Sequence, residues 1–520
     1  MKRLHALLLI TFALFFVATS CSDKDDLPGP SKPDNKDIPL VSQFVYDGLS
    51  SYYLWSSEML DKKPTVSDTD PEKYFKSVLY KTDTDNGWSW ITDDVQGLLS
   101  EFAGEPKSFG YSIGGFYKIE NKIYALLRYV FDNTPASQAG MERLDLIGEI
   151  DGKPITANSE GYISDRDINI LYGDIKATFT TYKLRDNVLT LKKEVEVTPR
   201  ITKNDPVLYN EIYTIGDKKI GYLFYTNFTA NYNHRLFEVF SHFKNEGITD
   251  LVLDLRYNPG GGVTAASYLV SLFAPEATVR DRTILTTLTY NKYLNGVFGS
   301  NRNTKLGTYT DKDGKLLNEG ALNPLDVNLD LDKVYIIATE RSASASELTT
   351  FCSRAIMGDA NVVHIGGKTS GKYTASWTIH PYDNNLGQPV YVEDKLSANQ
   401  KNTFKNWAMQ PIVAIYKDKD GKDFVNPGYL EPDYALEEGF GYLDYWKPLG
   451  DTKDVLLGQA IYLITSDVSY KPIKPTTTRS YKEQMKLIDS GRDDAKPLVL
   501  DNIELSQEDF NKIRMHSLED

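Results

Sequence analysis

Three short runs hold the residue types that could do chemistry. The first is Thr339-Glu340-Arg341-Ser342-Ala343-Ser344-Ala345-Ser346-Glu347, directly after the apolar run Val334–Ala338. A serine where a buried strand turns into a helix carries its hydroxyl beside the free N–H groups and the positive end of the helix. Such N–H groups can stabilise an oxyanion. The run reads equally as plain helix capping, because Ser344 and Glu347 have the Ser-x-x-Glu spacing of a capping box. The second run is Gly366-Gly367-Lys368-Thr369-Ser370-Gly371-Lys372, which nearly matches a phosphate-binding loop. Tyr373 stands where the magnesium-binding hydroxyl belongs, and Thr374–His380 has a strand pattern rather than a helical one, so nucleotide binding is rejected. Lys372 is then either an exposed turn lysine or a buried one, whose neutral form desolvation favours and which can act as a general base. The third run, Leu251-Val252-Leu253-Asp254-Leu255-Arg256-Tyr257-Asn258-Pro259-Gly260-Gly261-Gly262, takes an apolar strand into a glycine turn. Its amides can approach a ligand closely, or simply make a tight strand–helix turn.

These runs need a scaffold. Lys219–Phe224 and Asp250–Leu255 read as strands with the amphipathic helix His234–Lys244 between them. Val334–Ala338, Ala345–Met357 and Asn361–Ile365 continue as strand, helix and strand, which is α/β layering over about 205–465. Residues 38–104 are expected to form a small helical N-terminal domain, since their spacing is mainly helical and Asp70-Pro71 is a helix start. Residues 105–204 switch to strand patterns at Lys122–Val130 and Val188–Thr198. Residues 466–520 are polar, and a partly ordered tail is expected there. The fold class expected is mixed α/β and multidomain.

Thr134–Pro154 resembles the core of a PDZ domain, with Leu144 where that family usually has glycine. A PDZ-like module implies an extended ligand added to a sheet edge. The three chemical runs, in the order glycine turn, serine, lysine after a PDZ-like segment, resemble the carboxyl-terminal processing peptidases, also called tail-specific proteases. Ser342–Glu347, Gly366–Lys372 and Asp254–Gly261 carry the likeness, and Gly428–Asp433 resembles the family's closing Gly-x-x-Pro-Asp stretch. The resemblance covers roughly residues 105–440. It implies a crotonase-like α/β core with Ser344 as nucleophile and Lys372 as its general base. It places the oxyanion donors at the N–H groups of Gly260 and Ala345, with Gly261 as the fallback. It also makes Gly110, Tyr111, Ser112 and Ile113 a loop that binds a substrate C-terminus. The implied reaction is attack on a peptide carbonyl, an acyl-enzyme and hydrolysis, with a polypeptide substrate and no metal or cofactor. Two departures stand out. Lys372 follows Ser344 by 28 positions, a few more than usual, with the extra residues expected around 358–360. Ser376 occupies the place of a glutamine that orients the lysine in many members, and is the possible third member.

The amino terminus reads as an address. Lys2 and Arg3 precede the apolar run Ala6–Ala18, and Ala18-Thr19-Ser20-Cys21 looks like a bacterial lipobox. The expectation is a signal peptide over 1–20, lipidation of Cys21 and a tether over 21–37, placing the protein on the cell envelope, at the outer membrane. A formal charge of −14 argues against a nucleic-acid partner. Two cysteines rule out a disulfide scaffold, and six histidines leave little for a metal cluster. Gly110-Tyr-Ser112-Ile-Gly114 and Ser241-x-x-Lys244 mimic other nucleophile motifs without their context. His364 and Cys352 read as core residues, and Asp311–Gly314 and Asp418–Gly421 as hairpin turns. Two further readings are a catalytically inactive peptide-binding lipoprotein of the same fold and a glycan-utilisation lipoprotein. Oligomeric state is left open.

Overall fold

The strand Asp250–Asp254 shows how the core is made, because its side chains alternate between two faces. Leu251 and Leu253 enter one apolar cluster with Val334, Ile336 and Val362. Val252 enters another with Ile220, Tyr335, Ile337 and Ile365. A sheet buried on both faces needs helices on both, and it has them. Asn233–Glu246, Val263–Phe273 and Ala345–Met357 cover the first face. Val455–Thr465 covers the second with Leu456, Leu457, Ala460 and Ile461.

The structure, a computed structural model, describes residues 38–185, 188–298, 302–307, 309–310, 316–317, 322–438, 446–472, 485–488 and 498–500. The expected signal peptide, Cys21, the tether and the Asp311–Gly314 turn lie outside the described residues. The central sheet has six strands in the order Val207–Ile215, Lys218–Tyr225, Asp250–Asp254, Val334–Ala338, Val362–Gly366 and Tyr434–Ala435. The first pair is antiparallel and all later pairs are parallel. The mixed α/β fold class is therefore as expected, with strand boundaries within one or two residues of the sequence reading.

The helices Leu40–Tyr52, Pro71–Val78, Lys81–Asn86 and Val95–Phe102 follow the expected helical pattern, with Asp70 Oδ1 accepting from Lys73 N at 3.0 Å. They do not enclose a core of their own. Phe44, Leu49, Tyr52 and Phe75 join the same cluster as Leu251 and Val334. Trp90–Thr92 pairs antiparallel with Ala408–Gln410, which knits this segment into the α/β body.

A second, β-rich sheet runs in the order Met485–Ile488, Tyr111–Ile119, Lys122–Val130, Asp145–Ile150, Ala177–Arg185 and Val188–Val197, with Lys153–Pro154 beside Asp145–Ile150. It has its own core around Phe109, Phe116, Leu127, Ile147 and Phe179. Leu144 has φ +69°, which explains the glycine usual at this place. A left-handed residue with a Cβ costs about 1 kcal/mol.

Candidate active site

Ser344 sits at the junction between the strand Val334–Ala338 and the helix Ala345–Met357, with φ +57° and ψ −109°. That backbone is strained for a residue with a Cβ, and strain of this kind gathers at functional sites. Ser344 is fully buried, and its hydroxyl has no hydrogen-bond partner. The flanking serines are occupied. Ser342 Oγ donates to Leu255 O at 2.7 Å, and Ser346 Oγ donates to Asn258 O at 2.9 Å. Both therefore fasten the helix start to the glycine turn, and only the middle hydroxyl is left for chemistry.

Glu347 ties this serine to the lysine turn. Its Oε2 accepts from Ser344 N and from Lys372 N, both at 2.8 Å, and its Oε1 accepts from Gly371 N at 2.7 Å. Lys372 is 2 % exposed, so the buried alternative for it is the one observed. Tyr416 adds a second bridge, its hydroxyl reaching Ser344 O at 3.2 Å and Lys372 O at 3.3 Å. No hydrogen bond joins the Ser344 hydroxyl to Lys372. Such contacts often tighten only in the substrate complex. The sequence pattern of Glu347 signals a cap; its role as a bridge between two distant loops needed the tertiary structure.

Burial pushes the Glu347 carboxyl up from 4.5 to about 7, against the lowering effect of Thr369 and the three backbone N–H donors. A carboxyl raised by folding contributes stability that is fully present below about pH 4.5 and is lost as the pH rises through about 7. Stability is thus expected to fall across that window, and Glu347→Gln is expected to flatten the fall. Thermal unfolding of both proteins from pH 4 to 8 checks this; parallel curves count against it.

The glycine turn packs directly on the serine. A Cβ on Gly260 would lie 2.7 Å from Ser344 Cβ and 3.0 Å from Ala345 N, so the turn can come this close only as glycine. One expectation is corrected here. The Gly260 N–H donates to Asn258 Oδ1 at 2.9 Å, so it is not presented as an oxyanion donor. The short Asn side chain folds back on its own turn and captures that amide. Gly261, the fallback expected for it, follows at φ +137°.

Behind the turn lies a buried charge network. Arg256 Nη2 reaches Asp254 Oδ2 at 2.6 Å and Asp454 Oδ1 at 2.8 Å, and Arg256 Nη1 reaches Glu438 Oε1 at 3.2 Å. Asp454 also caps the helix Val455–Thr465, accepting from Leu456 N and Leu457 N at 3.1 Å each. Arg256 thereby locks the glycine turn to both the sheet and the covering helix.

Two further residues near the lysine escaped the sequence reading. Gln410 Nε2 donates to Ser376 Oγ at 3.1 Å, while Gln410 Oε1 has no partner. A carboxamide thus stands beside Ser376, contributed by another strand. Asp83 is a buried carboxyl from the amino-terminal helices, raised by burial but pulled back by Ser89, Tyr53 and the charge of Lys372. It accepts from Tyr53 Oη at 2.7 Å, Ser89 N at 2.8 Å and Ser89 Oγ at 2.5 Å. Trp88 packs edge-on against Tyr373, ring centroids 5.3 Å apart, which sets this segment against the lysine turn. Asp83→Ala would leave three buried donors unpaired, at roughly 1–3 kcal/mol each before relaxation. An overall loss of about 3 kcal/mol is expected in urea unfolding, and a loss under 1 kcal/mol would count against this account.

The residues expected to bind a peptide end lie on the β-rich sheet, apart from the serine. Tyr111, Ser112 and Ile113 begin the strand Tyr111–Ile119 rather than forming a free loop, because they pair with Val130, Tyr129 and Leu127 in turn, across a bulge between Ser112 and Ile113. Gly110 keeps φ +85° against Thr134. Ser112 therefore lacks the strand-to-helix turn of a nucleophile elbow. Ser241 and Lys244 lie on the helix Asn233–Glu246. His364 is a core histidine between Ala338 O and Glu431 O, each at 3.2 Å. Cys352 is buried, with its thiol pushed up by burial. Asp418 Oδ1 closes its own turn on Asp420 N and Lys422 N.

The fold and the junction together have the build of an α/β serine hydrolase. Residues 219–436 match the family model described as Peptidase family S41, and residues 41–90 match that of the Peptidase S41 N-terminal domain. The chain belongs to peptidase family S41. It is 25 % identical over 245 residues to the carboxyl-terminal-processing protease of a Picosynechococcus species, covering 46 % of this chain and 48 % of that one. It is 24 % identical over 292 residues to a protein of Staphylococcus haemolyticus named "Probable CtpA-like serine protease", covering 54 % and 50 %. The chain thus spans about half the length of these curated relatives. The crystal structure of a candidate S41 protease from Bacteroides fragilis superposes with a TM-score of 0.61 at 24 % identity, covering 81 % of this chain and 97 % of that one.

Proposed function

We propose that the protein is a serine endopeptidase that hydrolyses envelope or extracellular polypeptides through a Ser344–Lys372 pair. One observation carries the reading: an unpartnered, buried serine hydroxyl at a strained junction, bridged by Glu347 to the turn of a buried lysine. In the first step Lys372, as the neutral amine, takes the hydroxyl proton while Ser344 Oγ attacks the carbonyl carbon. The N–H groups of Gly261 and Ala345 hold the oxyanion. The amine leaves with a proton from the lysine, and water then hydrolyses the acyl-enzyme. Ser376 and Gln410 position the lysine. The β-rich module binds the substrate as an added strand, as PDZ domains do, and the carboxyl-terminal-processing names of the relatives agree with a preference for chain ends. Cys21 anchors the enzyme to the envelope by lipid.

The test is incubation of the purified protein, Ser344→Ala and Lys372→Met with an unfolded polypeptide, with cleavage followed by mass spectrometry. Cleavage by the wild type alone supports the reading. Equal cleavage by all three, or by none, overturns it.

A further inference from the structure

The chain's own carboxyl-terminal segment lies on both surfaces that an extended substrate would need. Met485–Ile488 adds an antiparallel strand to the edge of Tyr111–Ile119, in the register Met485↔Ile119 to Ile488↔Phe116. It therefore runs toward Gly110 as its residue numbers rise, the direction in which a ligand would bring its C-terminus to that end of the strand. Ile488 packs on the module's core beside Phe116, while Leu487 is 56 % exposed. Further on, Leu498–Val499 pairs with the strand Thr374–Ser376, which begins two residues after Lys372. Val499 N donates to Gly261 O and Leu500 N donates to Ser376 O, both at 2.9 Å. The segment is thus clamped between the glycine turn and the strand that follows the lysine. Leu500 is 5 % exposed and joins the main core, and Val499 lines a cavity of about 280 Å³ with Phe102, Phe228 and Gly260–Gly262. The two surfaces are linked, because Arg341, on the loop before Ser344, donates through Nη2 to Gly114 O at 2.7 Å.

We propose that residues 485–488 and 498–500 are an intramolecular ligand, bound as a polypeptide substrate binds, which competes with external substrates for the peptide edge and the catalytic groove. This rests on the reading of Ser344 and Lys372 as the hydrolytic pair. Main-chain hydrogen bonds give such a strand its affinity, and the side chains on alternate positions give selectivity. The bound segment therefore reports the substrate class: an extended chain with an aliphatic residue, here Val499, beside the glycine turn and the next, Leu500, turned into the core. A tethered ligand acts at an effective concentration of about a millimolar, so even a segment with an intrinsic Kd near ~0.1 mM would hold the free groove to roughly a tenth of the molecules.

The experiment uses the full chain. Val499→Pro removes the N–H that meets Gly261 O, and Leu500→Pro removes the one that meets Ser376 O. Each is expected to raise kcat/KM on an unfolded polypeptide about tenfold, through KM. A fluorescent peptide spanning 496–502 is also titrated into Ser344→Ala and into Ser344→Ala carrying Val499→Pro. It should bind the second about tenfold more tightly, with no catalysis required, so this arm stands or falls apart from the hydrolytic reading. Unlabelled peptide should inhibit the Val499→Pro enzyme competitively, and the wild type more weakly. Equal peptide binding by both, or no binding by either, would show a structural strand and overturn the proposal. A lowered Tm with unchanged KM and unchanged peptide binding would do the same. Should the prolines prevent folding, competition by the free peptide against the wild type decides: inhibition supports the proposal, and none at millimolar peptide refutes it.

Discussion

Ser344→Ala is expected to lower the rate of polypeptide cleavage by about 10⁴-fold or more while leaving the fold intact. The size follows from what the substitution removes. A serine nucleophile is the atom that forms the new bond, and no neighbour can stand in for it: Ser342 and Ser346 are committed to Leu255 O and Asn258 O. What would remain is binding and the oxyanion donors. The stability side of the prediction runs the other way. The hydroxyl is buried and unpartnered, and a group in that state costs roughly 1–3 kcal/mol relative to a satisfied one. Alanine removes that cost and keeps the Cβ, so the strain at φ +57° is unchanged. The Tm of the variant should therefore equal or exceed that of the wild type. Cleavage assays and thermal melts on the same preparations check both halves. Retained cleavage would sink the nucleophile assignment, and a large drop in Tm would show that the hydroxyl has a partner.

The second large effect falls on stability. Arg256→Ala is expected to cost about 3–5 kcal/mol, because it leaves Asp254, Asp454 and part of Glu438 buried without their cation. Burial, with the charge of Asp454 adding to it, raises the Asp254 carboxyl in the wild type, and Arg256 is the main influence pulling it back. Without the arginine Asp254 and Asp454 titrate higher in the folded state than in the unfolded one, because burial raises both and Arg256 is the main lowering influence on each. Their neutral forms are then the tolerated ones, so the deficit should be larger at pH 8 than at pH 5. Activity should fall as well, since the guanidinium fixes the glycine turn to the cap of the helix Val455–Thr465. Urea unfolding at the two pH values measures the effect, and a cost under 1 kcal/mol, or one independent of pH, would contradict it. Arg256→Lys is not expected to rescue it, because one ammonium cannot reproduce a fork that meets carboxylates on two elements.

The division between what was legible and what was not follows the range of the forces involved. Strand and helix positions in the α/β core could be read directly, since Leu251–Leu253 and Val334–Ala338 are short unbroken apolar runs, as strands buried on both faces require, and the amphipathic helix over 233–246 has a period near 3.6. The amino-terminal helices were equally legible one by one. Their sharing of a core with the sheet was not, because periodicity says which face is apolar and not what covers it. At the site, the serine, the lysine and the glycine turn stand out by local pattern. Glu347, Asp83 and Gln410 do not, since each works through a partner distant in the chain: Glu347 on Lys372, Asp83 beside Lys372, and Gln410 on Ser376.

By itself the sequence determined the order of the elements, the family resemblance and which serine and lysine are the candidates for chemistry, all of which are written in contiguous residues. Only the tertiary structure decided that Ser342 and Ser346 are used as fasteners, that the Gly260 N–H is turned onto Asn258, and that the Val499 N–H donates to Gly261 O. Those are matters of hydrogen-bond competition. A donor or acceptor takes whichever partner the packed fold brings within about 3 Å, and composition and spacing carry no record of that choice.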